Sequence, residues 1–257
     1  MSEVNIDLIQ QLEKAGLDGL PALITDTQDG WLLRRSEGYS RRANCVMPLG
    51  PCRLPLTAKI TAAEGLYSAE DLPCIFKLTQ ASEPAGLDAE LERRGYSRDA
   101  ETLVLTRDLA QAPAMPDGVN LSSEPDAAWL DTWRSLSPRT EQFGILRRLL
   151  QAIITPAAFA RIDPAVQEIG SARAVVSDDW VGLFDLAVHS DHRRCGYGRA
   201  LADARLAWGH AQGARRAYLQ VMADNGTAQR LQARLGFTET YRYWYRIQPE
   251  MKAESRH

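Results

Sequence analysis

Residues 181–188 of this 257-residue chain, VGLFDLAV, form an almost unbroken apolar run holding one charge, Asp185. A run that short and that apolar fits a strand buried on both faces. The next residues narrow the fold further. Turn-forming and basic residues occupy 190–194, and the glycine pair Gly196 and Gly198 comes next. Then RALADARLAWGHAQG places Leu201, Ala204, Trp208 and Ala211 on one face of a helix. A strand, a glycine-rich basic loop and a helix in that order turn several backbone N–H groups towards one point. The helix dipole and the two arginines, Arg193 and Arg194, add positive potential there. The stretch therefore predicts a phosphate site made largely of backbone.

Two familiar phosphate loops do not fit. The GxxxxGK[ST] loop needs a lysine that is missing. Gly196-x-Gly198 continues with Arg199, Ala200 and Leu201, so the third glycine of GxGxxG is also missing. What remains, Arg193-Arg194-Cys195-Gly196-Tyr197-Gly198, reads RxxGxG. It closely resembles the coenzyme A loop of the GCN5-related N-acetyltransferases, and the resemblance continues in register. AYLQV at 217–221 reads as the next strand, Asn225 follows, and a helix then ends in Leu235-Gly236-Phe237.

The resemblance implies an α/β fold, a mixed sheet flanked by helices, with acetyl-CoA as cosubstrate and no metal. Its pyrophosphate would lie on the backbone around Arg193, Arg194, Cys195, Gly196, Tyr197, Gly198 and Arg199. Its peptide-like pantetheine would pair with the strand edge at Leu186, Ala187 and Val188, where a backbone N–H would stabilise the oxyanion. Asn225, an N-cap by position, would also bond the coenzyme. The reaction implied is acetyl transfer to a primary amine by direct attack in a ternary complex. The other reading is a non-catalytic acyl-CoA sensor, with the N-terminal half as its interaction module.

Loss of the amine proton needs an acceptor. Asp185 is the one carboxylate in the central strand. Strict alternation places it with Leu183 and Ala187, opposite Phe184, Leu186 and Val188. Its alternative role is structural, as a partner of backbone or of an arginine. His189, just past the strand, is a weaker candidate for the proton acceptor and reads rather as a turn residue. Many relatives carry a tyrosine in the last helix that protonates the leaving thiolate. Here LQARLGF puts Gln232 at that place, and an amide cannot act as an acid. Tyr241, Tyr243 and Tyr245 alternate on the following strand and are candidates to substitute for that acid, although most of them read as packing or substrate-cleft residues. Cys195 in the loop is either a catalytic thiol or, the favoured reading, a small residue tolerated between backbone donors.

The first half carries a weak echo of the second. CIFKL, a short helix, LERRGY and a strand parallel AYLQV, a helix, LQARLGF and a strand, which suggests duplication. In the first half the helix at 56–68 is preceded by GPCRLPL, with no RxxGxG. The expectation is two tandem domains, residues 1–110 without the coenzyme loop and 118–257 with it. The proline-bearing QAPAMPD at 111–117 would link them. Tyr39, Arg41, Arg42 and Asn44 read either as the lining of a cleft or as a solvated hairpin.

A formal net charge of −3 supplies no overall basic field to recommend nucleic acid; the partner that the resemblance implies is an amine, a small molecule or a peptide. No apolar run reaches the length of a membrane span and no signal-peptide pattern opens the chain, so a cytoplasmic location is expected. Cys45, Cys52, Cys74 and Cys195 form no CxxC pair and read as free thiols.

Overall fold

The computed structural model describes residues 5–137, 140–162 and 169–249. In chain order the elements begin with α1 (Ile6–Gly19), β1 (Ile24–Gln28), β2 (Trp31–Arg35), β3 (Cys45–Met47), α2 (Leu56–Ser68), β4 (Ile75–Leu78), α3 (Leu87–Arg93) and β5 (Ser97–Asp108). They continue with β6 (Val119–Ser122), α4 (Ala127–Leu136), α5 (Phe143–Gln151), β7 (Ala157–Ile162), β8 (Gly170–Ser177), β9 (Trp180–Val188), α6 (Tyr197–Ala211), β10 (Arg216–Met222), α7 (Gly226–Arg234) and β11 (Thr238–Ile247). No helix among the described residues is long and apolar enough to cross a membrane.

The chain forms two compact units. The first takes the described residues of Met1–Gln10, Ala22–Thr102 and Arg242–His257; the second takes Gln11–Pro21 and Leu103–Tyr241. Residues 111–117 thus fall within the span of the second unit, and most of β11 belongs to the first.

In the first unit β1 and β2 pair antiparallel, as do β2 and β3, whereas β3 and β4 run parallel. The end of β11 lies antiparallel to β4, with Trp244 opposite Leu78 and Ile247 opposite Ile75. Helices α2 and α3 cover this sheet through Ile60, Ala63, Tyr67, Leu87 and Leu91, which pack on Trp31, Leu33, Val46 and Phe76. In the second unit β7, β8 and β9 pair antiparallel in turn, and β9 runs parallel to β10. Helix α6 supplies Ala202 and Leu206 to a core with Val181, Leu183, Ala217 and Leu219.

Both units therefore repeat one succession: three antiparallel strands, a helix, a parallel strand, a short helix and a further strand. The two short helices also end alike. Gly95 and Gly236 have φ of +84° and +81°. The next N–H, of Tyr96 and of Phe237, returns to Leu91 and Gln232 carbonyls at 3.0 Å in each case. This is the Schellman ending that the Gly-aromatic echo encodes.

Three local features depart from the simplest reading of the residues. RRANCVM is a strand only from Cys45, because Arg41–Ala43 form a 3-10 turn after Ser40 at φ +44°. Asn44 fixes that turn: its Oδ1 accepts the N–H of Ser36 (2.7 Å) and Gly38 (3.1 Å), and its Nδ2 donates to the Tyr39 carbonyl (2.7 Å). Asn44 is thus a buried strut and no part of a cleft lining. Helix α1 runs past Gly16 to Gly19, since Leu20 N–H still bonds the Gly16 carbonyl (3.1 Å). Strand β1, ITDTQ, is polar and largely exposed and carries no apolar pattern. The Asp29-Gly30 turn that joins it to β2 is nonetheless a strong hairpin signal.

The first unit buries several acidic protons. Burial pushes the Cys74 thiol up to about 12, helped by the neighbouring Glu64 and Cys45. Burial likewise raises Tyr67, Tyr96 and Tyr245. In the unfolded chain a thiol titrates near ~8.5 and a tyrosine near ~10. The folded state holds these protons where the unfolded state releases them, so their contribution is complete below about pH 8.5 and is lost as pH rises. The expected outcome is a melting temperature that falls steadily from pH ~8.5 to ~11. In the same range, tyrosinate absorbance should show Tyr67, Tyr96 and Tyr245 ionising only as the protein unfolds.

Candidate functional site

The central strand β9 begins with close packing on both faces. A Cβ on Gly209 of α6 would stand 2.6 Å from Val181, and one on Gly182 would stand 2.6 Å from Phe184, so both glycines are needed for contact. The register then breaks. Ser171 of β8 lies opposite Ala187, but Arg173 lies opposite Phe184, so Asp185 and Leu186 face the single residue Ala172. Asp185 takes up the extra residue with φ +54°, a left-handed conformation that aspartate adopts more readily than most residues.

This bulge corrects the expected alternation. Val181 and Leu183 join the core beneath α6, yet Leu186 and Val188 pack against Leu201, Tyr197 and Ala200 of the same helix. Leu183 shares its face with Leu186 and Val188, and Asp185 points the other way. There its Oδ2 accepts a bond from Arg173 Nε at 2.8 Å. The Arg173 side chain is 1% exposed and that of Asp185 is 27% exposed. Arg173 also donates to the Gly19 carbonyl at the end of α1 and stacks 4.6 Å over the Phe184 ring.

A second buried arginine holds the bulge from the helix side. Arg205 of α6 donates from Nη1 to the carbonyls of Arg173 and Phe184, both at 3.1 Å, and from Nε to Leu201 at 2.8 Å. Burial lowers its guanidinium to about 9, while Asp185 pulls it up and Arg173 pushes it down. Sequence reasoning alone misses both arginines. The signal that could find them is an arginine inside a buried stripe: Arg205 stands one turn after Leu201, and Arg173 interrupts SARAVV.

Just before the bulge, β9 loses its other neighbour. Its parallel ladder to β10 ends at Leu183 opposite Leu219, although β9 continues to Val188 and β10 to Met222. Leu186, Ala187 and Val188 are half-exposed along that open edge. The chain then makes a 3-10 turn, Ser190–His192, in which His189 Nδ1 accepts the Asp191 N–H at 3.4 Å. His189 is a turn residue, as its position predicts.

The basic loop comes next. Arg194 at φ +64° and Gly196 at φ +89° bracket Cys195 and turn the chain into α6. Among the described residues, none accepts a hydrogen bond from the backbone N–H of Arg194, Cys195, Gly196, Tyr197 or Gly198. The Arg199 N–H is instead taken by the Gly196 carbonyl (3.0 Å), and its side chain pairs with Asp203 (3.0 Å). Arg193 and Arg194 are exposed, with Arg193 Nε 3.3 Å from the Val188 carbonyl. A row of unpaired N–H groups at a helix N-terminus, bent by residues of positive φ, is a nest for anions.

Helix α7 borders this loop: a Cβ on Gly198 would lie 3.5 Å from Leu231. Asn225 caps α7, its Oδ1 accepting the Ala228 N–H at 3.0 Å. Gln232, one residue beyond Leu231, is 7% exposed, and its Oε1 has no hydrogen-bond partner among the described residues. Tyr241 donates to Glu13 of α1 at 2.7 Å. Tyr243 and Tyr245 belong to the first unit, where they stack edge to face at 5.6 Å and are buried.

The family described as "Probable histone acetyltransferase Rv0428c C-terminal" matches residues 7–246. The chain is 28% identical to "Uncharacterized N-acetyltransferase YobR" of Bacillus subtilis, over 94% of this chain and 99% of that protein. It is 30% identical to "Probable histone acetyltransferase Rv0428c" of Mycobacterium tuberculosis, over 83% of this chain and 66% of that one. Among solved structures, a GCN5-related N-acetyltransferase from Kribbella flavida superposes with a TM-score of 0.66 at 18% identity, covering 96% of this chain and 97% of the other. A tandem protein of the same fold from the clavulanic acid biosynthesis pathway gives a TM-score of 0.61 at 15% identity, covering 96% and 94%. With the sequence match running nearly end to end, the chain belongs to the Rv0428c C-terminal family, and its fold is that of the GCN5-related N-acetyltransferases.

Proposed function

We propose that the second unit transfers an acetyl group from acetyl-CoA to a primary amine by direct attack in a ternary complex. The observation that carries this is the run of five N–H groups, Arg194 to Gly198, that meet no acceptor among the described residues and open α6 beside the edge of β9 past its ladder to β10. Those donors suit the pyrophosphate, with the exposed guanidiniums of Arg193 and Arg194 alongside. The edge at Leu186, Ala187 and Val188 suits the amides of pantetheine, and an N–H there suits the thioester oxygen as it gains charge. Asn225, capping the helix that borders the loop, has an amide nitrogen to donate. The acetyl donor supplies an activated carbonyl; the chain binds it, aligns the amine and takes up a proton.

In this reading Asp185 accepts the amine proton as the new N–C bond forms, and the C–S bond breaks to release the thiolate. Gln232 cannot protonate that thiolate, but a thiol of pKa ~8.5 leaves without a dedicated acid. The bond from Arg173 favours a second reading for Asp185, in which it fixes the bulge and water removes the proton. The four free thiols suit a reducing compartment such as the cytoplasm. The Mycobacterium tuberculosis relative is named for histones, so lysine-rich peptides belong in the amine panel beside polyamines, amino acids and aminoglycosides.

Coenzyme A release by that panel, followed with a thiol reagent, tests the activity. Saturable acetyl-CoA binding with no turnover on any amine would make the protein a sensor. Acetyl-CoA at a hundred times its dissociation constant is expected to add about 2.7 kcal/mol of stability, read as a thermal shift. Gly198→Val should abolish that shift while leaving the unliganded melting temperature within a few degrees, because the site admits a Cβ at 3.5 Å from Leu231. Binding that survives the substitution would place the phosphates elsewhere.

Asp185→Asn separates its two roles. As proton acceptor, its loss should lower kcat on the order of 10²- to 10⁴-fold with acetyl-CoA affinity unchanged. As a structural partner of buried Arg173, its loss should cost roughly 3–5 kcal/mol of stability instead. Both quantities are to be measured on one variant with one working amine.

A further inference from the structure

The first unit holds a carboxylate at the place where the second offers bare N–H groups. Asp29 lies at φ +45° in the two-residue turn between β1 and β2. Its Oδ2 accepts the backbone N–H groups of Arg53 and Leu54, both at 2.9 Å, in the segment that leads into α2. The same oxygen lies 3.3 Å from Lys59 Nζ on α2, and the side chains of Lys59 and Asp29 are 0% and 14% exposed. Lys59 also donates to the Asp29 carbonyl at 2.5 Å and stands 4.0 Å over the Trp31 ring. The Leu54 N–H above all holds the Asp29 carboxyl below the usual range, with Arg53 and Lys59 adding to it against burial.

The turn is pressed onto this segment. A Cβ on Gly30 would collide with the Pro51 carbonyl oxygen, and one on Gly50 would meet the Gly30 oxygen at 2.7 Å. Both positions require glycine, so the approach is built into the sequence.

The placement matches the second unit element by element. Helix α2 follows β3 and precedes the parallel strand β4, as α6 follows β9 and precedes the parallel β10. Arg53 and Leu54 stand three and two positions before Leu56, the first residue of α2; Arg194 and Cys195 stand three and two before Tyr197, the first of α6. Two N–H groups at equivalent places meet an internal anion in one unit and no partner among the described residues in the other.

We propose that the first unit keeps a latent phosphate-receiving loop whose occupant is the chain's own Asp29 carboxylate. The inference rests on reading the second unit's loop as a phosphate site. Lys59 is the counter-charge of this internal ligand, and the first unit takes no coenzyme because its loop is already filled. Removing the carboxylate leaves two N–H groups and a buried ammonium without their anion, a set that a phosphate oxygen satisfies.

The experiment uses the full chain carrying Gly198→Val, so that the second unit's loop does not contribute. Asp29→Gly suits the positive φ and deletes the carboxylate; Asp29→Asn keeps an oxygen on the two N–H groups. Each is melted in inorganic phosphate and in chloride at matched ionic strength. The expected result is a lower melting temperature for Asp29→Gly in chloride, raised roughly 5–10 °C by phosphate at a hundredfold excess over its dissociation constant. The Gly198→Val parent and Asp29→Asn should melt alike in both salts. Equal melting of Asp29→Gly in the two salts overturns the proposal, as does an equal phosphate response in the parent. Should Asp29→Gly not fold in chloride, Asp29→Ser takes its place with the same two outcomes. Acetyl-CoA binding is measured separately on the chain with Gly198 intact; its absence there would remove the proposed activity without touching the phosphate result.

Discussion

A single two-against-one mismatch between β8 and β9 sets the geometry of the second unit. Without it, β9 would keep its alternation, and Asp185 would share a face with Leu183 beneath α6. With it, the apolar face passes from Leu183 to Leu186 and Val188, so α6 stays covered along its length while Asp185 swings to the opposite side. The ladder to β10 stops just before the mismatch, at Leu183. The edge of Leu186, Ala187 and Val188 and the loop after it are therefore consequences of one extra residue in one strand.

The mismatch is held from both faces by arginines, which is costly. Arg173 and Arg205 are each 1% exposed, and among the described residues the carboxylate named beside them is Asp185. The remaining compensation comes from carbonyl oxygens: Gly19 at the end of α1, Leu201, Phe184, and Arg173 itself. Carbonyl dipoles offset part of the desolvation of a guanidinium but bring no opposite charge. That is why burial leads the causes that depress Arg205. Interactions so demanding define one geometry, since any shift of strand, helix α1 or helix α6 would leave a guanidinium without partners.

The parts legible in the sequence are those whose physics is local. Helix α2 occupies Leu56–Ser68, the residues expected of it, and starts directly after Pro55. The loop at Arg193–Gly198 is readable because backbone nests need glycine spacing, and the Gly-aromatic endings because they need positive φ. The bulge is not readable: it depends on a partner strand, and Asp185 looks in isolation like any alternating position. Strand β1 escapes notice because an exposed edge strand needs no apolar pattern, although Asp29-Gly30 marks its turn. The bond from Arg173 to Asp185 and the bonds of Arg205 join residues that only the tertiary fold brings together. The pairing of Trp244 with Leu78 has no sequence signal at all, since the whole second unit from Leu103 onward lies between them.

That last pairing bears on how the chain is made. The strand that lies against β4 of the first unit includes Arg242–Ile247, which come after the second unit in the chain. During synthesis the earliest residues emerge first, and domains generally fold as they appear. Here the early-made sheet waits with β4 unpaired on that side until the second unit has left the ribosome. A premature stop anywhere in the second unit would deprive the first unit of its final strand. The exposed edge of β4 would then be open to pairing with another chain.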